Sequence, residues 1–253
     1  MNAMAQHENV SDNFETKLSH TRALLRRAAH EHAPEHAGGS ARVSQASSLG
    51  AEDMVISHLI NRMRLDIGIF VLDTGRLHPQ TLQLLEQLKA NSRAPVEVFK
   101  PVAESVIRFV ARNGQDAMYQ SIALRKSCCQ MRKTEPLERA LKGETAWITG
   151  LRREQSGGRA DVPAVDRSDA QRVKFNPLAD WSWGDVWHYL LTFAVDYNPL
   201  HDQFYPSIGC EPCTRAITPG EDFRAGRWWW ESEDLKECGL HVKPIAVEQG
   251  IAA

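Results

Sequence analysis

The sequence predicts an α/β protein built on a doubly wound, mostly parallel sheet. Three observations carry that prediction. Residues 66–75, DIGIFVLDTG, form a near-continuous apolar run, the pattern of a strand covered on both faces. Segments of helical period alternate with short β-rich segments through the first half of the chain. Of the 253 residues, 42% are hydrophobic, enough for one full-sized domain.

Each element has its own signal. Residues 14–32 place Phe14, Leu18, Leu25 and Ala28 on one face of an opening helix. EHAPEHAGGS, 31–40, is a break of Gly, Pro and His that reads as a flexible joint. ARVSQA, 41–46, is a short strand running into SSLGAED and a helix with Val55, His58, Leu59 and Met63 inward. The buried strand over 66–75 follows, then an amphipathic helix in HPQTLQLLEQLKA and a strand in VEVF. The helix in VAESVIRFVARNG is closed by Gly114. KGETAWITGL and RVKFNPL supply two further strands. WSWGDVWHYLLTFA sets Trp183, Val186, Trp187, Leu190, Leu191 and Ala194 on one face of a core helix, the tryptophans as packing. Beyond Tyr205 periodicity fades while cysteines, arginines and aromatics become dense. The expected organisation is an N-terminal helix and joint over 1–40, an α/β domain over 41–215 and a C-terminal tail over 216–253.

Composition excludes several classes of function. A net charge of −2 argues against a polyanion binder but leaves room for a local anion site. No apolar run of about 18 residues is present, so no membrane span is expected. The first residues lack a basic start followed by an apolar core, so a cytoplasmic location is expected. Five cysteines are an odd count, and in that setting a disulfide framework is not expected. Four form two close pairs, Cys128–Cys129 and Cys210–Cys213, and Cys238 stands alone. That is the arithmetic of a metal site plus a working thiol.

The motifs sharpen this division. In SSLGAED, Ser47, Ser48 and Gly50 sit where a strand turns into a helix, a turn that aims N–H groups and hydroxyls at an anion. The Gly-Lys-Ser/Thr of a triphosphate loop is missing, and Glu52 and Asp53 suit a less charged nucleotide. Leu72 to Gly75 ends the neighbouring strand, where open α/β sheets bind ligands. Four thiolates from Cys128, Cys129, Cys210 and Cys213 could hold zinc or an iron–sulfur cluster. Adjacent cysteines diverge, which favours the larger group, and Lys126, Arg132 and Lys133 would offset its negative charge. Arg152, Arg153 and Arg159 lie in a Gly/Ser loop that reads as an anion clamp, joined by Arg224 and Arg227 beside three tryptophans. Lys236 and His241 flank Cys238 and would favour its thiolate.

CCQMRK, TGLRREQS, KFNPLADWSW, GCEPCTRA, GEDFRAGRWWWE and KECGLH together resemble the assimilatory adenylyl-sulfate/phosphoadenylyl-sulfate reductases, over about Ser44 to His241. The resemblance implies a fold of the adenine nucleotide α-hydrolase-like (PP-loop) type. It implies one 4Fe-4S cluster on Cys128, Cys129, Cys210 and Cys213, and Cys238 as the nucleophile that takes the sulfonate from adenylyl sulfate, with AMP leaving. A thiol of thioredoxin, or of glutaredoxin, would then attack Cys238 and release sulfite. Lys133, Arg159, Arg224, Arg227 and His241 would hold the phosphosulfate, while Ser47, Ser48, Gly50 and Leu72 frame the adenosine. The expected work of the cluster is to tune the electrostatics around Lys133, since thiol chemistry can deliver both electrons.

Within the family, four cluster cysteines point to adenylyl sulfate; the alternative is the same reaction on 3'-phosphoadenylyl sulfate. A PP-loop ATP pyrophosphatase or ligase would leave Cys238 without a role. A four-cysteine zinc module binding nucleic acid fits neither the net charge nor the long α/β core. The expected partners are therefore a small nucleotide and a dithiol protein, with neither nucleic acid nor membrane.

Overall fold

The structure, a computed structural model, describes residues 10–33 and 42–232. Six strands form one sheet in the order β3-β2-β1-β4-β6-β5. They are β1 (Val43–Ser47), β2 (Gly68–Leu72), β3 (Val96–Phe99), β4 (Ala146–Ile148), β5 (Val165–Asp166) and β6 (Val173–Phe175). All neighbours run parallel except β5, which lies antiparallel to β6 at the edge. β2 pairs with β1 on one side and β3 on the other. Ile69, Phe70 and Val71 are buried, which is why that stretch shows no polar alternation.

Helices cover the sheet. They are α1 (Phe14–Glu31), α2 (Ala51–Met63), α3 (Pro79–Asn91), α4 (Ala103–Asn113), α5 (Ile122–Cys129), α6 (Glu135–Ala140) and α7 (Trp183–Thr192). α1 buries Phe14, Leu18, Leu25 and Ala28 in the main core, each large apolar side chain contributing about 2 kcal/mol. Its polar ties are specific: Thr21 Oγ1 donates to Pro177 O at 2.8 Å and accepts from Trp181 Nε1 at 2.9 Å. The opening helix therefore belongs to the same core as the sheet. α2 and α7 pack together, with His58 Nδ1 2.8 Å from Tyr189 Oη.

α7 departs from its expected face. Trp187, Val186 and Leu190 are buried, but Leu191 is 37% exposed and Tyr189 is buried instead. The helix ends at Thr192, and Ala194 lies beyond it in a left-handed conformation, φ 48°. The two-residue strand β5 has no sequence signal, being too short to show alternation. No helix among the described residues is long and apolar enough to cross a membrane.

Candidate active site

The strand order reverses direction between β1 and β4, and the cavities open at the carboxyl ends of the strands beside that point. One is mostly apolar, lined by Ala46, Ser47, Phe70, Leu72, Leu137 and Trp147 among others. Its walls suit a flat, weakly polar ring system. A second, polar cavity lies beside it and is lined by Ser48, Gly50, Lys133, Arg159, Arg224 and Arg227 among others. Ser48 and Lys133 line both. A ligand with an apolar head and an anionic end fits this pair.

The turn from β1 to α2 is filled from within. The Asp53 carboxylate accepts from Ser48 N at 2.7 Å and from Ser48 Oγ at 2.6 Å, while Leu49 N donates to Ser47 Oγ at 3.2 Å. The Ser48 donors expected to face an anion are thus turned onto the chain's own acid. Leu49 holds a left-handed φ of 63° with its side chain fully buried, backbone strain of the kind that collects at functional turns. Gly150 closes over the same point: a Cβ there would come within 2.5 Å of Asp53 Oδ1. Burial pushes the Asp53 carboxyl up to about 6, against the pull of the Ser48 hydrogen bonds.

Glu52 faces the other way. Burial alone would raise its carboxyl. The Arg152 guanidinium, 2.9 Å away, and hydrogen bonds from Gln155 and Arg152 outweigh burial and hold it below the usual range. Arg152 is thereby spent on structure, also meeting Glu154 at 2.8 Å and Trp181 O at 3.2 Å. Arg153 pairs with Asp180 and donates to Val162 O at 2.9 Å. Of the three arginines in the expected clamp, only Arg159 lines the polar cavity.

Lys133 sits in a π-helical stretch, Gln130–Thr134, between α5 and α6. Such a widened turn rotates side chains off the regular face and often marks a functional site. Arg227 is held by packing: its guanidinium lies 4.8 Å from the Trp228 ring, and Nη1 donates to Ile208 O at 3.2 Å. A Cβ on Gly209 would come within 2.4 Å of Arg227 Nη2, so the bare backbone at 209 is what admits the guanidinium.

The four paired cysteines come together. Cys128, Cys129, Cys210 and Cys213 line one further cavity with Arg76, Lys133 and others. Cys128 and Cys129 lie at the end of α5; Cys210 and Cys213 flank a single turn. That turn is tied to the end of β2: Leu77 bridges Cys210, Glu211 N donates to Arg76 O at 2.8 Å, and Thr74 Oγ1 lies 3.2 Å from Cys210 Sγ. Burial and then the neighbouring Cys210 push the Cys213 thiol up to about 11. Among the described residues no three His, Cys, Asp or Glu side chains converge closely enough for a single metal ion. Three buried thiols and one half-buried thiol line a common cavity with cations at its rim, a set of soft donors that could hold a metal group once ionised.

The structure thus brings Ser47, Ser48, Gly50, Leu72, Lys133, Arg159, Arg224, Arg227 and the four paired cysteines to one region. Lys133 lines all three cavities. Cys238 and His241 lie outside the described residues. Residues 216–232 are packed into the body through Trp228, 1% exposed, and through Arg125, which meets Glu231 at 2.6 Å. Sequence reasoning passed over Gln155 and His201, which also line the polar cavity. Burial lowers the His201 pKa, and its Nδ1–H donates to Tyr205 O at 2.7 Å. Gln155 lies within the quoted TGLRREQS run, where the arginines drew the reading, while His201 has no motif signal, since single His residues are common in loops.

Fold and cavities define a class: an α/β protein with a nucleotide-sized cleft at the carboxyl edge of its sheet, an arginine-lined anion end and a four-thiol site. The phosphoadenosine phosphosulfate reductase domain model matches residues 42–216, and the chain belongs to that family. It is 55% identical over 205 residues to an adenosine 5'-phosphosulfate reductase of Burkholderia cepacia, covering 81% of this chain and 82% of the relative. With the enzyme of that name from Neisseria meningitidis serogroup B it shares 47% identity over 241 residues, 94% of this chain and 96% of the relative. Among solved structures, a phosphoadenylyl-sulfate reductase from Candida auris in a phosphate complex superposes with a TM-score of 0.63 at 26% identity. The match covers 76% of this chain and 88% of that one. A Candida glabrata FMN adenylyltransferase at 12% identity and TM-score 0.55, covering 98% of this chain and 85% of that one, shares the fold alone.

Proposed function

We propose that this chain reduces adenosine 5'-phosphosulfate to sulfite and AMP in sulfate assimilation. The observation that carries the reading is the position of Lys133, which lines the apolar cavity, the anion cavity and the thiol site together. The names of the relatives supply the substrate.

The apolar cavity takes the adenosine, and Leu72 and the Ser47–Gly50 turn frame it. The phosphosulfate lies in the polar cavity against Lys133, Arg159, Arg224 and Arg227, with His241 joining from beyond the described residues. The Cys238 thiolate attacks the sulfur and forms an S–S bond. The bond between sulfur and the bridging oxygen breaks, and its electron pair leaves with AMP. Guanidinium and ammonium groups already aimed at that oxygen stabilise the charge as it develops. A thiolate of thioredoxin, or of glutaredoxin, then attacks Cys238 Sγ. Sulfite leaves with the electron pair of the S–S bond, and the second thiol of the partner closes the disulfide and frees Cys238. The two electrons come from the dithiol.

A 4Fe-4S cluster would be held by Cys128, Cys129, Cys210 and Cys213. When bound it supplies a local field at Lys133, rather than electrons for the reaction. In the Ser47–Gly50 turn the Ser48 donors are already taken by Asp53, which suits a nucleotide with a single 5'-phosphate rather than a triphosphate.

Intact-mass measurement after incubation with adenosine 5'-phosphosulfate, without thioredoxin, tests the reading. The protein gains the mass of one SO3 group; the gain disappears on adding a thiol and is absent in Cys238→Ser. A protein that gains no such mass with this substrate would sink the mechanism. A gain with 3'-phosphoadenylyl sulfate alone would reassign the substrate.

A further inference from the structure

The four paired cysteines reach their common cavity on two separate pieces of chain. Cys128 and Cys129 end α5, while Cys210 and Cys213 flank the turn docked on the end of β2. A site assembled from two pieces holds its group only as well as the spacing between them is kept, and that is the work of residues behind the ligands.

Tyr119 spans this spacing. It ends a single turn, Ala117–Tyr119, that packs along α5 just before the helix begins. Ser121 caps the helix there, its Oγ accepting from Leu124 N at 3.2 Å. Met118, in the same turn, is buried with Cys128, Cys210, Cys213 and Trp228. From this base Tyr119 Oη donates to Pro212 O at 2.5 Å. Pro212 lies between Cys210 and Cys213 and lines the thiol cavity; Tyr119 stands behind it. One hydrogen bond thus joins the α5 side of the site to the Cys210–Cys213 turn.

Burial does not account for this bond. Tyr119 is 44% exposed, so water is at hand for its hydroxyl and the ring removes little apolar surface. The bond contributes little to folding, and what it adds is position. The ring has contacts of its own: it meets Trp230 edge-on with centroids 4.6 Å apart, and Trp230 packs against the cysteine cluster. Substitution can therefore separate the hydroxyl from the ring.

We infer that Tyr119 is a positioning residue for the metal group: its hydroxyl holds the Cys210–Cys213 turn at a fixed distance from the cysteines of α5 and so slows the loss of that group. This rests on reading the four thiols as the holder of an iron–sulfur cluster.

The test follows iron release from the full-length, iron-loaded protein to the chelator ferrozine, for wild type, Tyr119→Phe and Tyr119→Ala. Tyr119→Phe removes the hydroxyl and leaves the ring on Trp230. It should lose iron about three- to tenfold faster than wild type, the scale of one neutral hydrogen bond. Tyr119→Ala should lose it at least as fast. In both variants the circular-dichroism spectrum and the calorimetric affinity for AMP should match wild type. If Tyr119→Phe releases iron at the wild-type rate, the positioning role is refuted; a fast Tyr119→Ala beside it would assign the effect to the ring as a cover. Faster iron loss together with weaker AMP binding would show a general loosening of the fold and refute the role as well. In either case an iron-loaded wild type leaves the cluster reading standing. A wild type that holds no iron, as purified or after anaerobic reconstitution, would overturn that reading, and this inference with it.

Discussion

At Asp53 a buried carboxylate accepts two hydrogen bonds from Ser48, and burial still pushes it up to about 6. The folded state therefore holds a proton that the unfolded chain, with an ordinary pKa near 3.8, releases sooner. Stability from this group is fully present below pH ~3.8 and is lost as pH rises through ~6, a linkage worth about 3 kcal/mol at most. Asp53→Asn cannot titrate. In urea melts, the stability of wild type relative to Asp53→Asn should grow as pH falls from 7 to 4; a difference flat with pH would contradict the assignment. Gly209 offers a second test at this scale. Gly209→Ala drives a Cβ into the Arg227 guanidinium, so AMP affinity should fall about tenfold, as for loss of one charged contact, with little change in melting temperature. Unchanged affinity would mean that Arg227 can move aside and still serve. Of these residues, the arginines were legible as a cluster, but which of them face the cavity was not. Arg152, Arg153 and Arg159 look alike in sequence, and only the buried Glu52 and the exposed Asp180 divide them.

Among the elements, the helical run from Ile122 to Ala140 organises the site. Its adjacent cysteines lie at the end of α5, Lys133 lies in the π-helical stretch, and α6 carries Leu137 to the apolar cavity. The sequence marked the chemistry of this run without marking its shape, because a π stretch differs from an α-helix by one residue per turn and leaves no periodic trace. The returning segment after Cys213 is pinned by Arg125 and Glu231, whose side chains are 1% and 2% exposed and 2.6 Å apart. Glu231→Ala leaves the guanidinium buried without its carboxylate, and unfolding free energy should drop by about 3–5 kcal/mol. A loss under about 1 kcal/mol, the scale of an exposed pair, would show that the pair is not buried in solution. The β2 strand and α1 were legible because their burial is one-sided or complete. α7 was legible except at its end, where the chain turns left-handed at Ala194 and exposes Leu191.

For the whole molecule, the alternation of strand and helix gave the class of fold, and the parallel order places the apolar cavity, with the polar one beside it, at the carboxyl ends of the strands. The antiparallel β5 and the packing of residues 216–232 onto the body come from long-range contacts that periodicity does not carry. Two cysteine pairs far apart in sequence meet because the Cys210 turn docks on the end of β2 and α5 crosses beside it. On the proposed reading, purified protein carries about four iron atoms per chain, and Cys210→Ala loses them. Zinc in their place would contradict that assignment. The central claim is that this site converts adenosine 5'-phosphosulfate to sulfite at the expense of a dithiol. The most direct measurement is turnover by the purified protein with thioredoxin and that substrate, following both products. One sulfite and one AMP are expected for each dithiol oxidised, and none of either from Cys238→Ser. AMP released without sulfite, or turnover that survives Cys238→Ser, would contradict it.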